Sequence, residues 1–305
     1  MKIIFSRLIT VLLILFLFGC SAKKEQVVIG RSVNRVVSTA PSNTEIIVDL
    51  GMAHKLVAID RHSADIEASA DYPQIPEGLP LLDFFYPDAE VILNLQPDLI
   101  IASGHNPTGT GDDPFRLLSE MGIPVVYISM SKTIEDIYND ITFIAELLQA
   151  EKAGEELISK MKSEILQITD SIPATCYLLP ATCSIYFEIS AAPDMMTFGK
   201  DSFIHDMISV IGARNIFENE TWLVTPSAEA IIKRNPAVIL TNVNYLDDPI
   251  AEIKSRPGFN HINAVMNNRV YQIDTNSSVR ASARIVLALR QMAEAVSSEQ
   301  VTGSR

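Results

Sequence analysis

The chain has 305 residues, and its 37 acidic residues outnumber its 24 basic ones to give a formal net charge of −13. A chain this acidic is repelled by nucleic acid and by anionic lipid, so the composition excludes nucleic-acid binding. Its three cysteines give no indication of a cysteine-based metal site.

The first nineteen residues have the features of an export signal. Lys2 and Arg7 give a basic start, and residues 8–18 form an apolar run that is shorter than the roughly 20 residues a spanning helix needs. A small residue followed by Cys20 resembles a bacterial lipobox, so we expect residues 1–19 to be removed, lipid to be attached to Cys20, and residues 20–33 to form a tether. A plain signal with an incidental cysteine is the alternative.

Strand and helix patterns alternate from Arg35 onward, which is typical of a parallel sheet covered by helices. The run Pro41-Ser42-Asn43-Thr44 can begin a helix that ends before Gly51. We therefore predict an amino-terminal lobe over residues 34–148. Its β-rich runs are residues 35–38, 55–59, 99–102 and 125–128.

A long helical region follows from Thr133 to about residue 169. A piece of about 20 residues near its end would span roughly 30 Å as one helix, long enough to join two lobes. We predict this linking helix over residues 149–172. The alternative is two ordinary helices packed on the first lobe.

The pattern restarts in a carboxy-terminal lobe, predicted over residues 173–297, with a tail at 298–305. We expect strands at residues 184–189 and 269–273 and helices at about 202–211 and 282–296. Cys176 and Cys183 either form a disulfide, which export would permit, or remain two buried thiols.

Residues 90–101 and 229–240 follow one template. Each has a leading glutamate, an apolar pair two residues on, proline at the eighth position and then an apolar triplet. Each predicts a short helix that proline stops, followed by a strand buried on both faces. Two such copies indicate two similar α/β lobes with a cleft between them.

Seven segments are distributed along the chain, namely residues 35–45, 90–101, 197–203, 212–217, 229–240, 264–271 and 280–285. Their order and spacing resemble the cobalamin and iron-siderophore class of ABC-transporter substrate-binding proteins. The resemblance implies an α/β fold of two Rossmann-like lobes with mainly parallel sheets, joined by one long backbone helix, with the ligand cleft between the lobes. It also implies an extracytoplasmic component of an importer that captures a metal chelate, namely a corrinoid such as cobalamin, haem or a ferric siderophore.

Glu90 and Glu229 match the positions of the family's docking glutamates, which pair with arginines of the permease. Such charge pairs mainly set register and encounter rate. Each residue alone is also explained by the favourable dipole at a helix start, worth about 0.3–1 kcal/mol.

We expect the ligand near the carboxyl ends of the strands, and aromatic faces there suit a large planar chelate. Phe84 and Trp222 match positions where cobalamin-binding relatives place ring contacts, and Arg280 could hold a ligand carboxylate or phosphate. At least one of Phe84, Phe85 and Tyr86 is expected to be core. The ligand-binding candidates are Asn43, His62, Asp83, Phe84, Phe85, Tyr86, His105, Trp222, Tyr245 and Arg280, with Asp60, Arg61, Asn106, Tyr186, Met195, Met196 and Asn276 as further cleft candidates.

No histidine pair has ligand spacing on one helix, so we predict neither a protein metal site nor a cofactor of the protein's own. His62 or His105 either caps the metal of a bound ring or is a polar residue of the cleft rim. The acidic residues Asp83 and Asp88 fit a corrinoid, a haem-like ring or a cationic chelate better than a polyanionic siderophore.

The predicted partners are the chelate, a permease with its ATPase, and a membrane reached through the lipid on Cys20. We expect a monomer that is exported and held at the outer face of the cytoplasmic membrane or in the periplasm. One alternative is a lipoprotein of the same fold that binds a non-metal ligand or a protein. An exported hydrolase using Glu90 and Glu229 is disfavoured, because such a pair must flank one bond and no nucleophile elbow is present.

Overall fold

The computed structural model describes residues 32–67, 75–105 and 113–298. The strands of the first lobe are β1 (Val36–Ser38), β2 (Leu56–Asp60), β3 (Leu81–Leu82), β4 (Leu99–Ser103) and β5 (Val125–Ile128). They form one parallel sheet in the order β3-β2-β1-β4-β5. In its centre, Val36 of β1 pairs with Leu56 of β2 and with Leu99 of β4.

The second lobe repeats this plan with a smaller sheet. Its strands are β6 (Ser184–Glu188), β7 (Thr197–Phe198), β8 (Arg214–Asn215), β9 (Leu223–Val224), β10 (Val238–Thr241) and β11 (Val270–Gln272). Four of them form a parallel sheet in the order β11-β10-β6-β8, while β7 and β9 form an antiparallel ribbon. The predicted α/β class with two mainly parallel sheets is therefore confirmed.

Helices surround both sheets. They are α1 (Pro41–Asp49), α2 (Ala64–Glu67), α3 (Ala89–Asn94), α4 (Arg116–Glu120), α5 (Ile134–Leu148), α6 (Glu151–Asp170), α7 (Ala174–Leu178), α8 (Phe203–Val210), α9 (Ala228–Arg234), α10 (Pro249–Ser255), α11 (Asn263–Met266), α12 (Thr275–Val279) and α13 (Ile285–Ser297). Short 3-10 turns lie at Ala53–Lys55, Arg61–Ser63, Pro180–Cys183 and Phe259–His261. Within the described ranges, none of the helices is both long and apolar enough to cross a membrane.

Alternate residues of the strands enter different cores, as they must in sheets covered on both faces. In β4, Leu99 and Ile101 enter a large core shared by the two lobes, while Ile100 enters a smaller core with α3 and α4. In β10, Leu240 enters the shared core and Ile239 a smaller one with α9 and α10. The shared core makes the lobes one packed body.

The duplicated template forms the same local structure in both lobes, which confirms the prediction. Helices α3 and α9 each begin one residue before the template's glutamate, and β4 and β10 follow them as fully buried strands. After each helix, the residue before proline adopts a left-handed conformation, with φ of 47° at Gln96 and 46° at Asn235. The chain thus turns sharply from helix to strand at equivalent positions.

Helix α6 contacts both lobes. Near its start, Gly154 lies against Ala145 of α5, where an added Cβ would be 2.8 Å from the alanine Cβ. Further along, Glu164 faces Arg290 of α13 at 3.7 Å. The long helical region therefore contains two helices, α5 and α6, separated at Gln149, whose φ is 59°. The 20-residue helix is a strut between lobes rather than part of one lobe alone.

The structure corrects one local prediction and decides another. The terminal helix begins at Ile285 and not at residue 282, because Ser282 uses its side chain to bond Glu45 of the first lobe. Cys176 and Cys183 form a disulfide, which settles the choice that the sequence left open. The signal, Cys20, most of the tether and most of the tail lie outside the described residues.

Candidate functional site

A cavity of about 290 Å³ lies between the lobes. Its first-lobe wall comes from the start of α1, from the last residues of β4 and β5 and those that follow them, and from one residue of α5. The carboxyl ends of parallel strands are where ligands bind in such sheets. Its second-lobe wall comes from β7, α8, the residue that directly precedes β9, and the end of α12. The lining residues are Ala40, Ser42, Asn43, Ser103, Gly104, His105, Ile128, Ser129, Met130, Ser131, Asp140, Ile189, Phe198, Ser202, Phe203, Ile204, Trp222, Val279 and Ala281.

Asn43 and His105 are the predicted candidates in the first-lobe wall. The Asn43 amide donates to the Ala102 carbonyl over 3.3 Å, which fixes the buried side chain. His105 Nδ1 lies 3.1 Å from the Ser103 hydroxyl. Burial lowers the pKa of His105, so its ring is neutral at pH 7. These two residues therefore offer polar but uncharged groups to the wall.

Phe84 is the centre of an aromatic group on the first-lobe rim. Its ring lies 5.6 Å from that of His62, 4.8 Å from that of Phe85 and 5.6 Å from that of His105. Since His105 also lines the cavity, the group extends from the cavity outward. Phe84 is half-buried, and Phe85 and Tyr86 are 53% and 80% exposed. The expectation that at least one of these three aromatics is core was wrong.

Asp83 shapes the turn that presents these aromatics. Its carboxylate accepts hydrogen bonds from the backbone amides of Phe85 and Tyr86, at 3.0 and 2.8 Å. These bonds favour the ionised form and lower the pKa of Asp83. Asp83 therefore stays charged at neutral pH on an exposed rim.

Trp222 is the main aromatic of the second-lobe wall. Its ring lies edge-on to that of Phe198 with centroids 5.3 Å apart. Its amide donates to the Lys200 carbonyl over 2.8 Å, and its own carbonyl accepts from the Gly199 amide at the same distance. Gly199 permits this approach, because a Cβ there would collide with the Glu220 carbonyl. The backbone thus holds Trp222 at a φ of 58°.

Arg280 lies between the lobes but outside the set that lines the cavity. Its guanidinium bonds Glu45 Oε1 at 2.9 Å, Asp65 Oδ1 at 3.0 Å and the His62 carbonyl at 3.0 Å, all in the first lobe. The Ser282 hydroxyl donates to Glu45 and the Asn276 amide to Asp65. We call this group of residues the inter-lobe bridge. The ligand contact predicted for Arg280 stays a prediction.

Glu45 is the buried carboxylate of the inter-lobe bridge, at 1% exposure. Burial raises its pKa, and the bonds from Ser282 and Arg280 oppose that rise. A carboxylate in this position needs its partner, because a buried charge without one is costly. The bridge therefore depends on both lobes.

The remaining candidates that the structure describes are not among the residues that line the cavity. The Tyr245 hydroxyl accepts from the Ala191 amide over 2.8 Å, and the side chain is 63% exposed. Tyr186 and Met195 are buried in the second-lobe core, and Asp60 is buried beside Ser63. Asn106 lies outside the described residues. The described ranges contain no group of three or more His, Cys, Asp or Glu side chains arranged to hold a metal ion.

Sequence reasoning missed several lining residues. Ser129 and Ser131 directly follow the predicted strand that became β5, so the rule about carboxyl ends of strands could have found them. Asp140 gave no such signal, because it lies within α5 as one of several polar residues of that helix. It is 5% exposed, and its Oδ2 accepts from the Ser131 hydroxyl over 2.8 Å.

Glu90 and Glu229 are exposed in the first turns of α3 and α9. The Asp88 carboxylate accepts from the Glu90 amide at 2.8 Å, and the Ser227 hydroxyl accepts from the Ala230 amide at 3.2 Å. Hydrogen bonds from its own amide and from Ser227 lower the pKa of Glu229, so it is ionised at neutral pH. Both side chains present charge to solvent.

The periplasmic binding protein family model matches residues 36–276. The chain is 30% identical over 276 residues to a substrate-binding lipoprotein of an ABC transporter from Bacillus subtilis, covering 90% of this chain and 83% of that protein. It is 26% identical over 265 residues to a vitamin B12-binding protein of Vibrio campbellii, covering 85% and 88%.

A solved structure from Staphylococcus epidermidis, described as a possible iron-binding periplasmic solute-binding protein, superposes with a TM-score of 0.74 at 29% identity. The match covers 87% of this chain and 99% of that one. Sequence and fold therefore agree with the two-lobed α/β architecture. This chain belongs to the periplasmic binding protein family, whose members serve ABC importers as substrate-binding components.

Proposed function

We propose that this protein captures a metal chelate in the cleft between its lobes and delivers it to the permease of an ABC importer. The chelate is cobalamin or another corrinoid, haem or a ferric siderophore. The observation that carries the proposal is the cavity between Trp222 and the wall around His105, with the rim aromatics centred on Phe84 beside it. Aromatic faces on two sides suit a flat, largely apolar ring.

The size of the cavity fits a protein that opens to load. At about 290 Å³ it is smaller than a whole corrinoid with its nucleotide loop, so such a ligand requires the lobes to separate or the rim to move. The rim aromatics support this, since Phe85 and Tyr86 are exposed and lie where a larger ligand would project. The vitamin B12-binding relative supports the choice of a chelate.

Docking through one glutamate per lobe completes the proposal. Glu90 and Glu229 lie at the same position of the same helix-to-strand unit, and both are exposed. Two equal charges on matched helices suit a partner that offers two cationic sites, as a permease with paired subunits would. Such contacts mainly steer and orient the complex.

The remaining parts of the proposal concern the chain outside the cleft. Lipid on Cys20 would hold the protein at the outer face of the membrane or in the periplasm, as a monomer, with residues 20–33 as tether. The lobes would extend over residues 34–148 and 173–297, joined by 149–172. The lipoprotein from Bacillus subtilis supports the anchor.

Native mass spectrometry of the protein purified from its own host tests this function. We expect an added mass that matches one chelate per chain and that dissociates when the protein is unfolded. An absorbance spectrum of the same sample identifies a corrin, a porphyrin or a ferric chelate. A protein that carries no small molecule and binds none of these on titration would contradict the proposal.

A further inference from the structure

A groove of about 650 Å³ lies at the amino ends of β4 and β5, on the edge of the first sheet opposite the cavity. Leu93 comes from the last turn of α3, and Met121 directly follows α4. The two apolar side chains are 36% and 55% exposed, so the described part of the chain leaves them accessible. The lining residues are Leu93, Asn94, Gln96, Pro97, Asp98, Met121, Gly122 and Ile123.

The first described residues of the chain lie beside this groove. The Asp98 carboxylate accepts from the backbone amides of Asn34 and Arg35 at 2.9 and 3.0 Å. The Arg35 guanidinium donates to the Leu95 carbonyl at the end of α3 over 2.7 Å. Val33 is 2% exposed, so the chain is held in place up to this point. The segment that precedes Val33 therefore begins within a few residues of the groove.

That preceding segment has one apolar run. Residues 21–31 contain Val27-Val28-Ile29 between polar or charged residues and Gly30. Three consecutive apolar residues are unusual in a solvent-exposed tether, and β-branched side chains favour an extended backbone. Ile29 comes five positions before Asn34, so a fully extended chain places it at most about 18 Å from that residue. The run can therefore reach the groove.

From this arrangement we propose that the run Val27-Val28-Ile29 docks in the groove between the ends of α3 and α4. In an extended segment the side chains of Val27 and Ile29 point to the same face. Against Leu93 and Met121 they remove apolar surface of both partners from water, which drives association. The backbone carbonyls at the two helix ends suit the amides of the docked run, because the last carbonyls of a helix have no partner within it.

Docking shortens the free part of the tether. If lipid is attached to Cys20, as the proposed function has it, seven residue steps separate the anchor from Val27, which is about 25 Å when extended. The amino ends of the first sheet would then stay close to the membrane. The docking itself depends neither on the lipid nor on the chelate, so it can fail while the proposed function stands.

Hydrogen exchange of the full chain, followed by mass spectrometry, tests the docking. After correction for intrinsic rates, we expect the amides of residues 27–30 to exchange about tenfold or more slowly than those of residues 21–25, since docked amides are protected. Met121→Asp places a charge in the groove and should remove this protection. Leu178→Asp makes the same change on a side chain of the second lobe that is 77% exposed, and it should leave the protection intact.

Cross-linking tests the same contact without relying on exchange rates. A short bis-maleimide should join Ile29→Cys to Met121→Cys in the full chain, and peptide mapping identifies the joined residues. The matched pair Ile29→Cys with Leu178→Cys should not be joined, although Leu178 is the more exposed position.

Exchange of residues 27–30 as fast as that of residues 21–25 would overturn the docking. Equal protection in Met121→Asp and in the natural chain would also overturn it, as would a folded Ile29→Cys and Met121→Cys variant that is not joined. Protection that disappears when the protein is diluted would assign the groove to a second copy of the chain and overturn the proposal.

Discussion

The two lobes form their glutamate helices alike, but they contribute different chemistry to the space between them. In each lobe a short capped helix presents one exposed glutamate, turns through a left-handed residue before proline, and continues as a buried strand. At the interface, the first lobe contributes the carboxylates Glu45 and Asp65, and the second contributes Arg280.

The cavity shows the same division. The first lobe places Asp140 and the neutral His105 in the wall, while the second lobe places Phe198 and Trp222 opposite. The shared unit thus accounts for what both lobes do alike, and the unshared residues account for ligand and lobe contacts. Variants that change both lobes in the same way, or that change only one of them, can separate these two roles.

The largest effect should come from reversing the shared charge. We expect Glu90→Arg with Glu229→Arg to abolish uptake, because both docking contacts become repulsive, while the affinity for the chelate stays unchanged. Uptake by cells and binding by calorimetry measure the two separately. The matched control is Glu135→Arg with Glu151→Arg, which reverses two exposed first-turn glutamates elsewhere and should leave uptake intact.

Each single reversal tests whether the lobes are equivalent. Similar partial losses from Glu90→Arg and Glu229→Arg would agree with paired docking sites. Normal transport by the double variant would remove the docking role.

The next effect concerns the aromatic walls. Phe84→Ala with Trp222→Ala should raise the dissociation constant of the chelate about a hundredfold, since both variants remove apolar surface that the ligand would cover. Calorimetry measures the affinity, and thermal unfolding should show that the fold persists. Leu178→Ala changes a side chain that is 77% exposed and serves as control. Unchanged affinity in the double variant would take both aromatics out of the site.

A smaller effect is expected at the inter-lobe bridge. Arg280→Ala leaves Glu45 buried without its cation, so the free energy of unfolding should fall by about 2 kcal/mol. Arg290→Ala is the control on the same lobe, because its pair with Glu164 is 3.7 Å long and partly exposed. A loss under about 1 kcal/mol is expected there. Urea denaturation compares the two. Equal losses would mean that the bridge is no stronger than a surface pair.

The smallest effect depends on pH and on Asp49, another first-lobe carboxylate turned toward the second lobe. Burial, with the nearby charge of Glu45, raises the pKa of Asp49 to about 6. Between its unfolded pKa of about 4 and this value the folded state holds more protons than the unfolded one, so stability falls as pH rises through that window. Above it, the ionised Asp49 is a cost to the folded state.

Asp49→Asn should therefore stabilise the protein by about 1 kcal/mol at pH 7.5, with the gain disappearing toward pH 4. Urea denaturation at both pH values measures this. A gain that is the same at pH 4 and pH 7.5 would show that charge is not its cause.

The residues differ in how well the sequence alone could place them. Local patterns were sufficient for the buried strands and the duplicated unit. Hydrophobic periodicity, helix caps and proline positions fix the bounds of these elements within a few residues. Trp222, a predicted ligand contact, also lies in the cavity wall, shortly before helix α9 in the chain. These features depend on neighbours along the chain.

Other features depend on contacts between distant segments. Arg280 reaches Glu45 across 235 positions, and nothing local indicates that its charge is already paired. Asp140 is one of several polar residues of its helix, and only the folded chain shows that it is buried and bonded to Ser131. The late start of α13 has the same origin, since Ser282 bonds to the first lobe instead of continuing the helix.

Anomalous diffraction from crystals of the chelate-loaded protein, collected at the absorption edge of the bound metal, tests the central claim most directly. We expect one metal peak between the lobes, within reach of Trp222 on one side and of the Phe84 group on the other. A peak on an outer surface, or a loaded crystal whose cleft contains no metal, would contradict the account.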